Sequence, residues 1–321
     1  MSLTEFEIIA RYFKDLTDND EQVAVGIGDD AAVINIPPGQ QLVTSVDTLV
    51  SGIHFFADAA PYDIGFKSLA VNISDLAAMA ARPRWATLAL TMLEGDSAWL
   101  QQFAEGFAAV ARRYGVSLVG GDLTHGPLAI TIQIMGLVEA GKAVTRGGAQ
   151  TGDRIYVSGC IGGAGLALGC LKKELPTTIQ PSTASIERLL RPEPRVALGL
   201  ELTDLANAAI DISDGLAADL GHILEMSGKG AVIDLDRVPV CDDLMQIENQ
   251  DERLRMALCA GDDYELCFTV PANRQDKIAS VSTALNLPLH CIGTITAGAK
   301  LIWRKADGSE YRLEDSGYRH F

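Results

Sequence analysis

No Lys/Arg-rich run occurs anywhere in the sequence, so it offers no electrostatic footprint for DNA or RNA. With 26 basic and 42 acidic residues the formal net charge is −16. Such a field repels nucleic acid, acidic membrane surfaces and phosphate-bearing ligands alike, and any phosphate that binds needs cations in between. The six cysteines (Cys160, Cys170, Cys241, Cys259, Cys267 and Cys291) include no C-x-x-C pair. They read as reduced core thiols, which argues against a zinc site or a disulfide framework. No apolar run reaches membrane-spanning length, and Asp75 and Arg82 interrupt the most apolar helical region. Met1 to Ala10 lacks the basic flank and apolar centre of a signal peptide. The expectation is a cytoplasmic protein with neither nucleic acid nor membrane among its partners.

What is present suffices for two cores. The chain has 321 residues, 48% of them hydrophobic, and a length of that order predicts two domains of roughly 150 residues each. Helical periodicity runs over Glu5 to Leu16, Tyr62 to Ala80 and Ser97 to Tyr114. Strands are expected at 23–25, 32–36, 42–46, 85–92, 117–119 and 128–138. The Gly-rich, apolar-poor stretch Gly141 to Asp153 predicts the domain boundary, drawn here as 1–145 and 146–321. The second half mixes strands at 155–158, 208–212, 265–270, 289–292 and 301–303 with helices at 163–171, 194–205 and 215–226. The fold class is therefore α+β or α/β, with two mixed αβ domains in tandem.

Two nucleotide motifs fail on context. Gly136 to Lys142 has the G-x-x-x-x-G-K skeleton of a phosphate loop, but Ala143 stands where a Ser or Thr must ligate magnesium, and no helix can follow. Gly26-Ile-Gly28-Asp-Asp-Ala31 fits a dinucleotide fingerprint. The next strand begins too soon for a crossover helix, however, and Asp29 and Asp30 would meet a pyrophosphate with carboxylates.

The informative pattern is acidic. Asp29 and Asp30, Asp47, Asp122, Asp211 and Asp214, and Asp262 and Asp263 each follow an apolar strand beside glycine or a small polar residue, and Asp75 adds one on a helix. A single such Asp serves as a turn former or N-cap. Several brought together would repel one another, so convergence requires metal. Hard oxygen donors select magnesium, calcium or manganese, and magnesium shares its sphere with substrate phosphates.

The blocks Gly28-Asp-Asp-Ala-Ala-Val33, Ser45 to Phe55, Asn72-Ile-Ser-Asp75-Leu-Ala-Ala-Met79, Gly120-Gly-Asp122, Asp211-Ile-Ser-Asp-Gly215 and Gly261-Asp-Asp-Tyr-Glu-Leu266 resemble, in this order, the signature of the thiamine-monophosphate kinase family. That family lies within the superfamily of aminoimidazole ribonucleotide synthetase. The resemblance covers nearly the whole chain. It implies two αβ domains, a homodimer formed by pairing N-terminal sheets, and a C-terminal αβ sandwich. It also implies ATP as co-substrate, bound through Mg2+ without a phosphate loop, and thiamine monophosphate as acceptor. By position, Asp30, Ser45, Val46 (through its carbonyl), Asp47, Asp75, Asp122, Asp211 and Asp214 correspond to magnesium ligands. Gly121, Asp122, Arg146 and Ser213 correspond to ATP contacts, with Asp47, Asp122 and Arg146 at the chemistry. His54, Asp262, Asp263, Glu265 and Tyr318 correspond to acceptor contacts. Where the family often has Gly-Glu-Asp, Asp262 is shorter by one methylene.

A phosphate monoester with its second pKa near about 6 is largely dianionic at neutral pH, so attack on the γ-phosphorus of ATP requires no general base. Among relatives in the superfamily, a selenophosphate synthetase would want a reactive cysteine near its N-terminal glycine loop, whereas the first here is Cys160. A hydrogenase-maturation dehydratase would end in a reactive cysteine, and this sequence ends Tyr318-Arg-His-Phe321. Aminoimidazole ribonucleotide synthetase remains as the enzyme alternative, and a non-catalytic metal or nucleotide sensor as the alternative from another class.

Overall fold

The structure is a computed structural model and describes residues 4–18, 20–313 and 317. The chain divides into two compact units, 1–76 with 81–141, and 142–321 with 77–80.

Unit 1 begins with helix α1 (Glu5–Ile8), capped reciprocally by Thr4 and Glu7, which runs into a π-helical turn over Ile9–Phe13. The short strands β1 (Val23–Val25) and β2 (Val33–Ile34) pair antiparallel. No helix lies between them, so the dinucleotide fingerprint has no helix terminus to offer. The strands β3 (Gln40–Val50), β4 (Arg82–Met92), β5 (Ser117–His125) and β6 (Ala129–Glu139) form a four-stranded sheet in the order β3-β6-β4-β5. Between β3 and β4 lies helix α2 (Pro61–Ala78). Helix α3 (Ser97–Tyr114) makes the crossover that lets β4 and β5 run parallel. Asp96 caps α3 by accepting from the Ala98 N–H at 2.8 Å, and Gly115 ends it in the left-handed conformation. Leu100, Phe103, Phe107 and Val110 form its buried stripe.

Helices α2 and α3 touch backbone to backbone. A Cβ at Gly65 would lie 2.1 Å from the Phe103 carbonyl oxygen, and one at Gly106 would lie 1.9 Å from that of Tyr62. Gly106→Ala is therefore expected to cost about 1–3 kcal/mol by overpacking, read as a lower urea midpoint. An unchanged midpoint would contradict the crossing.

The phosphate-loop skeleton is also explained by packing. Gly136 pairs with Val43 and Pro83 inside the sheet, and a Cβ there would lie 2.6 Å from the Arg82 carbonyl oxygen.

Unit 2 is built on a seven-stranded sheet of β7 (Arg154–Ser158), β8 (Ala208–Asp211), β9 (Gly230–Asp234), β10 (Leu266–Val270), β11 (Leu289–Thr296), β12 (Leu301–Arg304) and β13 (Glu310–Tyr311). Their spatial order is β13-β12-β9-β11-β7-β10-β8. The helices are α4 (Gly163–Leu171), α5 (Thr183–Leu190), α6 (Val196–Glu201), α7 (Leu216–Ser227), α8 (Gln250–Cys259) and α9 (Gln275–Leu285). Side chains from α7 and α8 share one core with Ile155, Val157, Ile210, Ile233 and Ile292 of the sheet. Alternation sends Tyr156 and Phe268 to the other face, where their rings stack 5.5 Å apart. Helix α5, strand β9 and helices α8 and α9 add to the elements expected from periodicity.

The cysteine expectation requires correction. Cys160 and Cys241 form a disulfide with Cα atoms 5.0 Å apart. A backbone bridge between Ile161 and Val240 brings the two segments side by side. Cys170, Cys259, Cys267 and Cys291 are free thiols. No described helix is long and apolar enough to cross a membrane.

Candidate active site

In unit 1 Ser45, Val46, Asp47, Gly121 and Asp122 sit within strands rather than on the loop ends that the apolar runs suggested. Strand β3 alternates, with Val43, Ser45, Asp47 and Leu49 toward the protein and Leu42, Thr44, Val46 and Thr48 outward. The Ser45 hydroxyl donates to the Asp75 carboxylate at 2.6 Å, and the Asp47 N–H donates to the buried Asn72 side chain at 3.2 Å. Asn72 and Asp75 lie on one side of α2, three residues apart. Ser45, Asp47 and Asp75 thus form one oxygen-rich cluster. The Val46 side chain is 60% exposed on the opposite face, so only its backbone could reach the cluster.

Asp122 is placed elsewhere. Sheet register puts Asp47 in a row with Ile132, Leu88 and Gly121, and Asp122 in the next row with Ala89, Thr131 and Thr48. Successive rows point to opposite faces, and three interstrand steps amount to about 14 Å. Within one chain Asp122 therefore lies on the far edge strand and the other face from Asp47. Its carboxylate accepts from the Thr124 hydroxyl at 2.7 Å. Gly121 allows the approach of β5 to β4, since a Cβ there would lie 1.9 Å from the Leu88 carbonyl oxygen. Asp30 is exposed in the turn before β2, its N–H donating to the Asp29 carboxylate. His54 lies in the turn after β3, where its Nδ1 accepts from the Val50 N–H at 3.0 Å. In the neutral ring the proton is thereby assigned to Nε2.

Unit 2 brings together three segments. The Asp262 N–H donates to the Ser213 carbonyl and the Tyr264 N–H to the Ile212 carbonyl, both at 2.8 Å, which lays the 261–265 loop along the 211–215 loop. A Cβ at Gly261 would lie 2.3 Å from the Ser213 carbonyl oxygen. The Ala209 N–H donates to the Thr145 carbonyl, bringing the exposed Arg146 beside the same loop.

Asp219, which the sequence reading did not single out, holds this loop. Its Oδ2 accepts from the Ser213 and Asp214 N–H groups at 3.0 and 3.1 Å. Burial, and next the Asp214 charge, push its pKa up to about 7, while hydrogen bonds and Arg146 oppose the shift. The signal was an Asp in the first turn of α7, which looks like an ordinary complement to the helix dipole.

Asp263 and Glu265 do not face solvent. The Asp263 carboxylate accepts from the Gly162 N–H at 2.9 and 3.0 Å, and burial holds its pKa well above the usual carboxylate range. Glu265 is fully buried. It accepts from the Ser158 hydroxyl at 2.6 Å, from Arg188 at 3.0 Å, and from Arg195 at 2.7 and 2.5 Å. Both carboxylates hold the loop from beneath, in place of the direct acceptor contact expected of them, while Asp262 is partly exposed at its tip. Tyr318 lies outside the described residues. Arg188 and Arg195 had no local signal, being 70 or more residues from their partner.

Among the described residues no three His, Cys, Asp or Glu side chains stand ready as a metal cage. The donors that assemble in unit 1 are hard oxygens in a small set, Ser45, Asp47 and Asp75, while in unit 2 Asp211 ends β8 and Asp214 follows three residues later. Such donors fit magnesium, which keeps waters and takes substrate oxygens into its sphere.

The two family models for AIR synthase related proteins match this chain in succession, the N-terminal domain over residues 28–138 and the C-terminal domain over 150–304. The thiamine-monophosphate kinase of Escherichia coli (strain K12) is 45% identical, over 100% of this chain and 99% of that one. The chain belongs to the thiamine-monophosphate kinase family. The crystal structure of the family member from Stenotrophomonas maltophilia K279a superposes with a TM-score of 0.84 at 42% identity, covering 97% of this chain and 99% of the other. AaThiL complexed with AMPPCP and TMP superposes with a TM-score of 0.77 at 30% identity, covering 100% and 99%. Family membership thus agrees with the order of the acidic blocks.

Proposed function

We propose that this protein is a thiamine-monophosphate kinase, which transfers the γ-phosphoryl group of ATP to thiamine monophosphate and yields ADP and thiamine diphosphate. The observation that carries the reading is full-length identity of 45% to a kinase of that name, together with the acidic blocks present in this chain. Ser45, Asp47 and Asp75 of unit 1 and Asp211 and Asp214 of unit 2 would hold Mg2+, with Asp30, Asp122 and the Val46 carbonyl completing the set. When bound, the metal neutralises charge on the polyphosphate. In a chain of net charge −16 such cations offset a field that would otherwise repel the polyphosphate.

Arg146 and Ser213 contact ATP beside the loop that Asp219 holds, and the Gly121 backbone does so on β5. His54 and Asp262 orient the acceptor, and Asp263 and Glu265 fix the loop that presents Asp262. The acceptor phosphate is largely dianionic at neutral pH, so none of these residues has to remove a proton. Their work is to align the attacking oxygen, phosphorus and leaving oxygen, and to neutralise charge in a loose transition state.

The outward face of β3, with Leu42 46% and Val46 60% exposed, supports a homodimer paired through the N-terminal sheets. The cytoplasm is the compartment that holds both substrates. The test is ADP release with ATP and Mg2+, with and without thiamine monophosphate. Release that depends on this acceptor is expected. Release that is indifferent to it but dependent on formylglycinamidine ribonucleotide would transfer the chain to the aminoimidazole ribonucleotide synthetase reaction.

A further inference from the structure

Where β9 leaves the sheet of unit 2 and β11 enters it, the surface carries an open cavity of about 680 Å³. That volume lies within the usual range for small-molecule sites, about 300–1,000 Å³. The cavity shares no residue with the candidate active site. Its apolar walls come from Val238, Leu254 and Leu289, and its cationic edge from Arg237 and Arg253, with His290 beside them.

Arg253 on α8 is half-buried. Its Nη1 reaches the Met245 sulfur and the Ile247 carbonyl, each at 3.5 Å, and it has no carboxylate partner among the described residues. The guanidinium of Arg237 approaches Asp234 only to 3.8 Å. That carboxylate already accepts from Arg304 at 2.7 Å. Two guanidinium groups thus border one concavity, with the Asp236 carboxylate also on its lining and Asp234 shared between Arg237 and Arg304. A half-buried cation loses hydration, and a matching anion restores the loss through charge-assisted hydrogen bonds. Planar guanidinium forks suit phosphoryl oxygens, and an aliphatic lining suits a flat apolar body.

We propose that this cavity is a binding site for a small aromatic phosphomonoester, its phosphoryl group at Arg253 and Arg237 and its ring between Val238, Leu254 and Leu289. The site is independent of the kinase reading.

The test is calorimetric titration of the full chain with naphthyl phosphate, in saturating ADP, Mg2+ and thiamine monophosphate so that the candidate active site is filled. One saturable site per chain is expected. Arg253→Ala and Arg237→Ala should each weaken it by about tenfold or more, while turnover and melting temperature stay at parental values. Naphthol and inorganic phosphate should each bind at least about tenfold more weakly than the ester. No saturable binding at millimolar ester would overturn the proposal, as would unchanged affinity in both variants or inorganic phosphate binding as tightly as the ester. Arg237 is exposed on a turn, so its variant keeps the test decisive if Arg253→Ala fails to fold.

Discussion

Asp47→Asn is expected to lower turnover by about 10²–10³-fold with the fold intact, the range seen when one transition-state charge stabiliser is removed. The Asp47 backbone N–H, not its carboxylate, makes the bond to Asn72, so an isosteric amide keeps this tie between β3 and α2 while removing the charge. Asp75→Asn should behave alike, because an amide oxygen can still accept from the Ser45 hydroxyl. Asp122→Asn tests the opposite edge of the sheet. If Asp122 serves the same cations, combining it with Asp47→Asn should cost little beyond the worse single change, as for groups that act as a unit. A fully multiplicative loss would assign Asp122 a separate role. Steady-state ADP release with a magnesium titration, on variants whose melting matches the parent, reads each case. Full activity in all three single variants would refute the metal assignment.

How far these positions were legible depends on what kind of signal each carried. Helix α3 was bounded to the residue, because Asp96, the 3.6-residue apolar stripe and Gly115 agree on its limits. Strand β5 was cut short at Val119, since Gly120 and Gly121 look like a breaker. Only the contact with the Leu88 carbonyl reveals that glycine there continues the strand and carries Asp122 with it. Strand β9 was hidden by its opening glycine, whose missing Cβ admits the Gly298 and Lys300 backbones. Helix α8 begins Gln-Asp-Glu-Arg, too polar at its start for periodicity to show. The disulfide joins residues 81 apart in sequence, and no local pattern encodes a pairing at that distance. Local order and the sequence of acidic blocks could be read. Face, edge and partnership are tertiary facts and could not.

Glu265 shows the consequence most sharply. In the sequence it is the last acid of a motif and looks like a ligand contact. In the fold it is the counter-charge for two arginines in a place water does not reach. Glu265→Ala is expected to destabilise the protein by about 3–5 kcal/mol, the usual result of removing one partner from a buried ion pair. Arg188 would keep the Cys160 carbonyl at 3.4 Å and the nearby Asp263 charge, and Arg195 would keep Glu193 at 3.7 Å, which is half-exposed and therefore screened. The Ser158 hydroxyl would also lose its acceptor, though it can still accept from the Leu266 N–H. Glu265→Gln keeps an acceptor oxygen of nearly the same shape and should fall between parent and alanine variant. Urea denaturation reads the effect directly. Because Glu265 anchors the base of the loop that carries Asp262, the glutamine variant should also raise KM for the acceptor more than KM for ATP. Parental stability in the alanine variant would show that the two arginines find other anions, and that the loop does not depend on this carboxylate.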